Sequence, residues 1–292
     1  MHYIHRIRPE IIQFTETLAI RWYGLSYLVG FVIGYFILVR LSRANKLAIP
    51  ADRIQDFLTA LALFGVMLGG RLGYFLFYQP EKFFSDPGSF FRLWEGGMAS
   101  HGGMIGCALV VLWWARKYQT TFWNIMDNLV VAGTPGLALG RVANFINGEL
   151  WGHPTQKPWG VVFPLERGEF GPGGQLEAQR YDLDLLRQYV ERGWLEPRHP
   201  SQLYQALLEG FLLFVVLFLL RRSPWSEAKA GRLSITFLIG YGLARFSMEF
   251  FREPDFGARV FFGWMSTGQF LTLFMFALAG VMIGFPKFFK RA

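Results

Sequence analysis

The fold class is decided by residues 205–220, QALLEGFLLFVVLFLL, an almost unbroken apolar run. Two further runs have the same character, LSYLVGFVIGYFILV at 25–39 and GQFLTLFMFALAGVMIGF at 268–285. A helix that crosses a bilayer needs about 20 consecutive, predominantly apolar residues, and several stretches of this chain approach or exceed that length. The runs therefore predict an all-α integral membrane protein that crosses the bilayer several times.

The composition agrees with helices that pack inside a bilayer. The chain has 292 residues, is 52% hydrophobic and 18% aromatic, and contains 33 glycines. Glycine is therefore enriched above the soluble average of about 7%, which suits close helix packing in lipid. The positive-inside rule explains the net charge of +8 better than a nucleic-acid partner does. We expect no nucleic acid among the partners.

Seven spanning segments are predicted, near residues 18–40, 57–78, 97–115, 123–145, 202–220, 233–250 and 265–285. The connections at 40–56, 116–122, 221–232 and 286–292 carry 13 basic residues, whereas the short segments on the opposite side carry seven. Loops rich in Lys and Arg face the cytoplasm. The N-terminus is therefore expected to face outward, and the C-terminus is expected to be cytoplasmic.

The predicted segments divide the chain into three regions. Residues 1–147 hold helices one to four, together with an aromatic-rich arm near 79–97 that is expected to lie in the membrane interface. Residues 148–200 are polar and rich in Gly and Pro. They predict a small extracytoplasmic head with a short helix in EAQRYDLDLLRQYVERGW at 177–194. Residues 201–292 hold helices five to seven.

Polar residues gather where an apolar run ends, in GRVANFINGELWGH at 140–153. This stretch places Arg141, Asn144, Asn147 and Glu149 at the end of a predicted spanning helix. Such groups are costly near hydrocarbon unless they face a cavity, a partner or a polar ligand. The stretch therefore predicts a polar site at the outward end of the helix.

Two further arginines, Arg71 and Arg245, lie within apolar runs near the outward ends of predicted helices. Tyr241, Arg245 and Glu249 are spaced i, i+4, i+8, so they form one stripe along a helix. Guanidinium groups bind phosphate bidentately. Two or three arginines that converge at the outer leaflet therefore favour a site for a lipid phosphate.

Each of these residues also has a simpler structural interpretation. Arg245 and Glu249 could form an ion pair that serves only the fold. Arg71 could extend its charged end to the membrane interface without binding a ligand. His101, in GGMASHGGMIGC at 96–107, is then a packing histidine, and Tyr23 is a tyrosine of the interfacial belt. The convergence of several cationic and polar groups at one leaflet favours the lipid-phosphate site.

The sequence resembles the bacterial phosphatidylglycerol–prolipoprotein diacylglyceryl transferases. GRVANFINGELWG at 140–152 is similar to the signature of that family, with Ala143 as an accepted variant. The blocks RWYGLSYLVGF, GGRLGYFLFY, WEGGMASHGGMIG, RHPSQLYQALLEG and GYGLARFSMEFFREPD follow in the family's order. His153 stands where some relatives have arginine, which puts a cationic role at this position in doubt. The resemblance implies an inner-membrane protein with seven helices, a periplasmic head and arms.

The resemblance also implies an activity. The diacylglyceryl group of phosphatidylglycerol moves to the cysteine thiol of a prolipoprotein lipobox, which forms a thioether and releases glycerol phosphate. The implied partners are phosphatidylglycerol, prolipoprotein signal peptides with a lipobox cysteine, and membrane lipids. By the match, Arg141 and Arg245 are the essential arginines. The supporting or catalytic residues that the match implies are Tyr23, His101, Asn144, Glu149, Gly152, Tyr241 and Glu249.

These residue types suit the chemistry. A free cysteine has a pKa of about 8.5, so the thiol must lose its proton before it attacks. His101 is the candidate base because imidazole titrates near neutral pH; a cationic neighbourhood that lowers the thiol pKa is the alternative. Arg141 and Arg245 are expected to stabilise the departing phosphate. Asn147 and Arg71 are further candidates for binding the substrate.

A transporter or flippase for anionic lipids is the main alternative from another class of protein. Such a protein should carry polar residues along the whole depth of the membrane, whereas here they cluster at the outward end. An intramembrane protease would need a Ser/His pair, paired aspartates or an H-E-x-x-H motif, and the sequence has none of these. No cluster of Cys, His and carboxylates has metal-site spacing, so neither a metal nor another cofactor is expected.

Overall fold

The computed structural model describes residues 2–15, 19–92, 96–164, 182–253 and 260–285. The chain forms two compact units. The first comprises Met1–Ile33, Gly133–Arg222 and Ile235–Ile283, and the second comprises Gly34–Ala132, Ser223–Ser234 and Gly284–Ala292. In chain order the described helices are α1 (Trp22–Arg43), α2 (Ala51–Tyr78), α3 (Pro80–Ser85), α4 (Ser100–Lys117), α5 (Phe122–Asn147), α6 (Leu183–Glu191), α7 (Ser201–Arg222), α8 (Pro224–Glu227), α9 (Arg232–Met248) and α10 (Thr267–Gly284).

Within the described ranges, five helices are long and apolar enough to cross a membrane: α1, α2, α5, α7 and α10. The prediction of a multi-pass helical membrane protein is therefore confirmed. Helix α4 coincides with the predicted segment 97–115 but begins beside His101 and ends in Arg116 and Lys117, which shortens its apolar part. Helix α9 has 17 residues, fewer than the roughly 20 of a typical span. The count of seven spans stays a prediction.

The surface of these helices shows why they need lipid. Helix α1 buries only Gly34, Leu38 and Val39, while Leu28 and Phe36 are more than half exposed. A helix that is apolar on all sides is stable only inside a large core or in a bilayer. The exposed apolar side chains of α1 therefore indicate a lipid-facing surface.

Small residues bring α5 close to α1 and α7 within the first unit. A Cβ atom built on Gly30 of α1 would lie 3.1 Å from the Cα of Gly136. One built on Gly210 of α7 would lie 2.4 Å from the Cβ of Ala138, so that position accepts no side chain. Interfaces of this kind let helix backbones approach in lipid. The contact between Gly210 and Ala138 holds α5 and α7 together immediately before the polar stretch 140–153.

Two of the spanning helices contain a wide π-helical segment, at Leu61–Leu68 of α2 and Ala206–Leu212 of α7. The pattern of apolar residues did not predict either segment. A π-helical turn changes the direction in which later side chains point, and such turns are frequent at functional sites. The segment in α7 carries the buried Glu209.

The described chain also contains short strands that the sequence did not predict. Strand β1 (Tyr3–Ile4) pairs in parallel with β4 (Val161–Val162), which pairs antiparallel with β5 (Pro197–Arg198). The N-terminal segment is thereby joined to the head. The other strands form two hairpins, β2 (Glu10–Gln13) with β3 (Ala19–Arg21), and β6 (Val260–Phe261) with β7 (Met265–Ser266).

In the region predicted as the head, Val162, Leu186 and Leu195 are buried and form a small hydrophobic cluster. Helix α6 lies inside the stretch predicted to hold a short helix. It begins after Asp182, whose side chain accepts hydrogen bonds from the backbone N–H groups of Asp184 and Leu185. Residues 177–181 of that prediction lie outside the described residues.

The second unit contains the arm predicted near 79–97. Helix α3 and a 3-10 turn at Pro87–Phe91 form it, and Phe84 and Phe91 are largely exposed, as interfacial side chains would be. Residues 93–95 of the arm lie outside the described residues. Four basic residues of the charge count lie outside them as well: Arg259, Lys287, Lys290 and Arg291.

Candidate functional site

The centre of the site is an ion pair between α5 and α7. Arg141 Nε and Nη2 both donate to Glu209 Oε2, at 3.2 and 2.9 Å. The Glu209 side chain is only 1% exposed and that of Arg141 is 20% exposed. A buried carboxylate of this kind requires a cationic partner, and Arg141 supplies it.

Arg245 on α9 extends the cluster. Its Nη1 lies 2.8 Å from Glu249 Oε2, one turn along the same helix, and 4.0 Å from Glu209 Oε1. The side chain of Tyr241, one turn before Arg245, contacts Arg141. The structure thus brings together four of the predicted residues, which are Arg141, Tyr241, Arg245 and Glu249.

The hydrogen bonding of this cluster is incomplete. Among the described residues, Arg245 Nη1, Glu209 Oε1 and Glu249 Oε2 are buried without a partner in hydrogen-bond geometry. The close approach of Arg245 and Glu249 is therefore an ion pair and not a directed hydrogen bond. A guanidinium that is charged, buried and only partly bonded can accept a further anionic ligand such as a phosphodiester.

Gly268 of α10 makes room for the Arg245–Glu249 pair. A Cβ atom at this position would lie 2.7 Å from Glu249 Oε1 and 2.9 Å from Arg245 Nη2. Real Cβ atoms do not approach polar side-chain atoms so closely, so any other residue would displace the pair. Gly268 is not among the residues predicted from the sequence.

The turn after α5 is organised around Glu149. Asn144 Nδ2 donates to Glu149 Oε1 at 2.8 Å, and Asn147 Nδ2 approaches the same atom at 3.4 Å. Gly148, with φ of +70°, allows the chain to reverse. The predicted residues Asn144, Asn147 and Glu149 therefore form one hydrogen-bonded group at the end of α5.

The start of α7 fastens this turn. Gln202 Nε2 donates to the backbone oxygen of Glu149 at 2.6 Å, and Ser201 Oγ donates to that of Leu150 at 3.0 Å. Gln202, Gln205 and Glu209 are buried and share one face of α7. Sequence analysis missed these three residues. Their spacing of i, i+3, i+7 in an otherwise apolar run was the signal that could have found them.

Gly152 is a meeting point of three chain segments. Its N–H donates to the His199 backbone oxygen at 2.9 Å, and it forms an isolated β-bridge with Arg252. A Cβ atom here would lie 2.3 Å from the Phe251 backbone oxygen and 2.7 Å from the His199 Cβ. Glycine is needed at this position because the neighbouring chain segments pack too closely to leave room for a side chain. A substrate contact by Gly152 stays a prediction.

A second polar group lies next to Gly152. His153 Nδ1 lies 2.8 Å from Glu253 Oε2, which also accepts a hydrogen bond from Arg198 Nη1 at 3.1 Å. Burial of the His199 ring, together with nearby His153 and Lys157, lowers the pKa of His199 below its ordinary value. The ring of His153 is therefore held by the Glu253 carboxylate.

Tyr23 lies in the first turn of α1 and belongs to the same unit as the arginine cluster. Its ring lies 5.1 Å from that of Tyr27, in an edge-to-face arrangement. This contact is compatible both with a belt tyrosine and with a headgroup ligand. The binding role of Tyr23 stays a prediction.

Arg71 has a role that the sequence did not indicate. Its side chain donates to the backbone oxygens of Phe90, Gly97 and Arg92, each at 3.0 Å. It also donates to the backbone oxygens of Ser89 and Gly96. A guanidinium has five N–H donors, so these carbonyls match its whole capacity. Arg71 therefore ties the arm to α2, and phosphate binding by Arg71 stays a prediction without a contact to support it.

His101 stands in the first turn of α4 and its side chain is exposed. The neighbouring Gly102 packs tightly on α2: a Cβ built on it would lie 2.2 Å from the backbone oxygen of Gly69 and 2.7 Å from the Cα of Gly73. The glycines beside His101 are thus explained by helix packing. His101 and Arg71 belong to the second unit, and their approach to the first unit's arginines stays a prediction.

In the parts of the chain that the structure describes, no group of three or more His, Cys, Asp or Glu side chains is arranged to hold a metal ion. The charges of the site are instead two arginines and two glutamates, of which Glu209 is buried and the other three are partly buried. The arrangement can bind and polarise an anionic group.

Comparison with known proteins identifies the family. The family model described as "prolipoprotein diacylglyceryl transferase" matches residues 9–285. The chain belongs to the prolipoprotein diacylglyceryl transferase family. The match extends from the N-terminal segment to the end of α10, so it covers most of both units and every site residue described above.

Several curated members of the family are similar to the chain over nearly all of its length. The phosphatidylglycerol–prolipoprotein diacylglyceryl transferase of Xylella fastidiosa (strain M23) is 41% identical over 284 residues, which are 94% of this chain and 90% of that protein. The enzyme of the same name from Geobacter sulfurreducens is 43% identical, over 91% of this chain and 90% of that protein. The one from Photobacterium profundum is 41% identical, over 91% and 88%. Membership of this family, whose curated members are named as transferases, does not favour the alternative of a lipid transporter.

Proposed function

We propose that this protein transfers the diacylglyceryl group of phosphatidylglycerol to the lipobox cysteine of prolipoproteins. The observation that supports it is the cluster of Arg141, Arg245 and Glu249 around the buried Glu209 in a chain of this family. Two guanidinium groups from different helices share one carboxylate there. A phosphodiester carries its charge on oxygens with similar geometry, so it can bind where the shared carboxylate leaves donors unused.

The reaction exchanges one bond at a glyceryl carbon. The thiolate sulfur forms the new C–S bond, the C–O bond to phosphate breaks, and the phosphate leaves with the bonding electrons as glycerol phosphate. Arg141 and Arg245 bind the phosphodiester and stabilise the charge that develops on it as it leaves. Tyr241, which contacts Arg141, is placed to donate to the same phosphate.

The residues around Glu149 hold the site in shape. Asn144 and Asn147 bind its carboxylate, and Gln202 binds its backbone oxygen. The end of α5 is thereby fixed against the start of α7, which keeps Arg141 aligned with Glu209. Positioning of this kind matters because both substrates must meet in line.

His101 is proposed as the group that accepts the thiol proton. An imidazole is neutral in part at physiological pH and can act as a base. If His101 has this role, His101→Asn loses most activity at pH 7 and recovers part of it above the thiol pKa of about 8.5. Equal loss at both pH values would assign His101 to positioning.

The protein is proposed to lie in the bacterial inner membrane with seven spans, with the N-terminus and the head in the periplasm and the C-terminus in the cytoplasm. The excess of basic residues in the connections predicted to face the cytoplasm supports this orientation. Labelling of single cysteines introduced into a Cys107→Ala background tests it. A cysteine introduced at residue 157, in the predicted head, should be labelled in intact spheroplasts by thiol reagents that do not cross membranes.

A transfer assay tests the function directly. Purified protein in detergent is mixed with phosphatidylglycerol and a lipobox peptide, and the mass of the peptide is measured by mass spectrometry. The wild type should add one diacylglyceryl group to the cysteine, and Arg141→Ala and Arg245→Ala should not. Arg187→Ala, an exposed arginine of α6, is the matched control and should retain activity. A folded wild type that produces no lipidated peptide would refute the proposal.

A further inference from the structure

Gln205 of α7 is the residue whose surroundings the phosphate site leaves unexplained. It is 0% exposed. Within the described part of the chain, neither its Nε2 nor its Oε1 has a hydrogen-bond partner. Burying an amide without partners costs free energy, so such a group is rare unless it serves a purpose. Gln202 is also 0% exposed, and its Oε1 is likewise unpartnered although its Nε2 is bonded.

The contacts on either side of Gln205 place it against the site. Helices α5 and α7 run antiparallel: Gly210 packs on Ala138, Glu209 binds Arg141, and Gln202 binds the Glu149 backbone oxygen. Gln205 lies between Glu209 and Gln202 on the same face of α7, because residues three and four apart are neighbours on a helix. Its amide therefore faces the segment of α5 between Arg141 and Glu149.

The unpartnered atoms have a definite chemistry. Gln202 Oε1, Gln205 Oε1 and Glu209 Oε1 are acceptors, whereas Gln205 Nε2 is a donor. A hydroxyl group both donates and accepts, so a group with hydroxyls can satisfy both kinds of atom. An ammonium group only donates, and it would leave Gln205 Nε2 unpaired beside two arginines that repel it.

We propose that Gln205, assisted by Gln202, binds the hydroxyl groups of the glycerol headgroup and selects phosphatidylglycerol among phospholipids. The inference rests on the proposed function, because the arginines must hold the phosphate for the headgroup to lie nearby. Both residues are 0% exposed, so binding of the headgroup requires the side chains around them to move. A site built to bond a hydroxyl discriminates strongly against an analogue that lacks it, since its buried groups are then left unpaired.

Two lipids with the same transferable group test the inference. Phosphatidylglycerol and phosphatidylpropanol give the same lipidated peptide, but the propyl headgroup has no hydroxyl. The wild type should have a kcat/KM at least about 10-fold higher with phosphatidylglycerol. Gln205→Met should lower the value for phosphatidylglycerol toward that for phosphatidylpropanol, and leave the latter unchanged.

The ratio of the two rates is measured within one preparation, so partial unfolding of a variant does not alter it. Thr272→Val is the matched control, because Thr272 is buried but its hydroxyl is satisfied by the Gln269 backbone oxygen. Its ratio should equal that of the wild type. An unchanged ratio in Gln205→Met, an equal loss with both lipids, or a wild type without preference would overturn the inference. A wild type that lipidates the peptide from neither lipid would instead overturn the proposed function.

Discussion

Glu209 joins the two arginines of the site. Its Oε2 accepts a hydrogen bond from Arg141 Nη2 at 2.9 Å, and its Oε1 lies 4.0 Å from Arg245 Nη1. One carboxylate on α7 therefore holds guanidinium groups from α5 and α9. This arrangement keeps two like charges close together.

Glu209→Gln should damage both stability and activity. Removing one partner of a buried ion pair leaves an uncompensated charge, which typically costs about 3–5 kcal/mol of folding free energy. The variant should therefore unfold at a lower temperature in detergent, and its transfer rate should fall because Arg141 is no longer oriented. Both are measured on the same purified sample.

Glu227→Gln is the control for this prediction. Glu227 pairs with Lys46 at 2.9 Å but its side chain is 52% exposed. Exposed ion pairs contribute about 0–1 kcal/mol, so this variant should resemble the wild type. If Glu209→Gln behaves in the same way as Glu227→Gln, Glu209 does not organise the arginines.

Arg245→Lys should lower kcat more than it raises KM. Lysine keeps the charge but has a single ammonium in place of the planar fork that binds carboxylate and phosphate bidentately. It can hold Glu249 or the phosphate, but not both in the original geometry. Steady-state kinetics with phosphatidylglycerol measure the two parameters, and wild-type kcat in this variant would contradict bidentate phosphate binding.

Gly268→Ala should impair transfer although residue 268 carries no chemistry. The added Cβ would lie 2.7 Å from Glu249 Oε1 and 2.9 Å from Arg245 Nη2, so the pair must move. The transfer rate should fall at least about 10-fold, since small misplacements of catalytic groups are costly. Gly280→Ala on the same helix has open space around it and should be neutral. Equal activity of the two variants would show that the pair tolerates displacement.

The sequence predicted the apolar helices well because a long apolar run is a local signal. A long apolar run means a spanning helix wherever it occurs, and Arg141 and Arg245 are conspicuous inside such runs. The grouping of Asn144, Asn147 and Glu149 also follows from their short separation. The structure brings these residues into one hydrogen-bonded group at the end of α5, and their role in binding substrate stays a prediction.

The partners of the arginines could not be predicted in the same way. Glu209 lies 68 residues from Arg141, and a single glutamate in an apolar helix does not reveal which cation it binds. Arg71 shows the same limit: its guanidinium donates to backbone carbonyls of the arm, while its predicted part in substrate binding stays a prediction. Backbone acceptors leave no trace in the identity of the residues that carry them. The π-helical segment around Glu209 is likewise defined by backbone hydrogen bonds, so the pattern of apolar residues did not predict it.

Arg71→Lys should loosen the arm. One ammonium has three donors and no planar fork, so it cannot reach the five carbonyls that Arg71 binds. Limited proteolysis should cut the arm between residues 79 and 97 faster in this variant than in the wild type. Arg116→Lys, at the far end of α4, is the control and should be cut at the wild-type rate. An unchanged rate in Arg71→Lys would mean that aromatic packing of Phe83 and Phe90 on Phe75 holds the arm by itself.

His199 should make the junction of head and membrane helices sensitive to acid. Its pKa is lowered, chiefly by burial and then by His153 and Lys157, so the folded state binds a proton less readily than the unfolded chain does. The contribution to stability is therefore complete above the ordinary histidine pKa of about 6.5, and it is lost as the pH falls through that value and then through the folded-state pKa. Between pH 7.5 and 5 the melting temperature of His199→Gln should fall less than that of the wild type. His2→Gln, on the Gly160 side of the head, should follow the wild-type curve, and parallel curves for all three proteins would exclude His199 as the source of acid sensitivity.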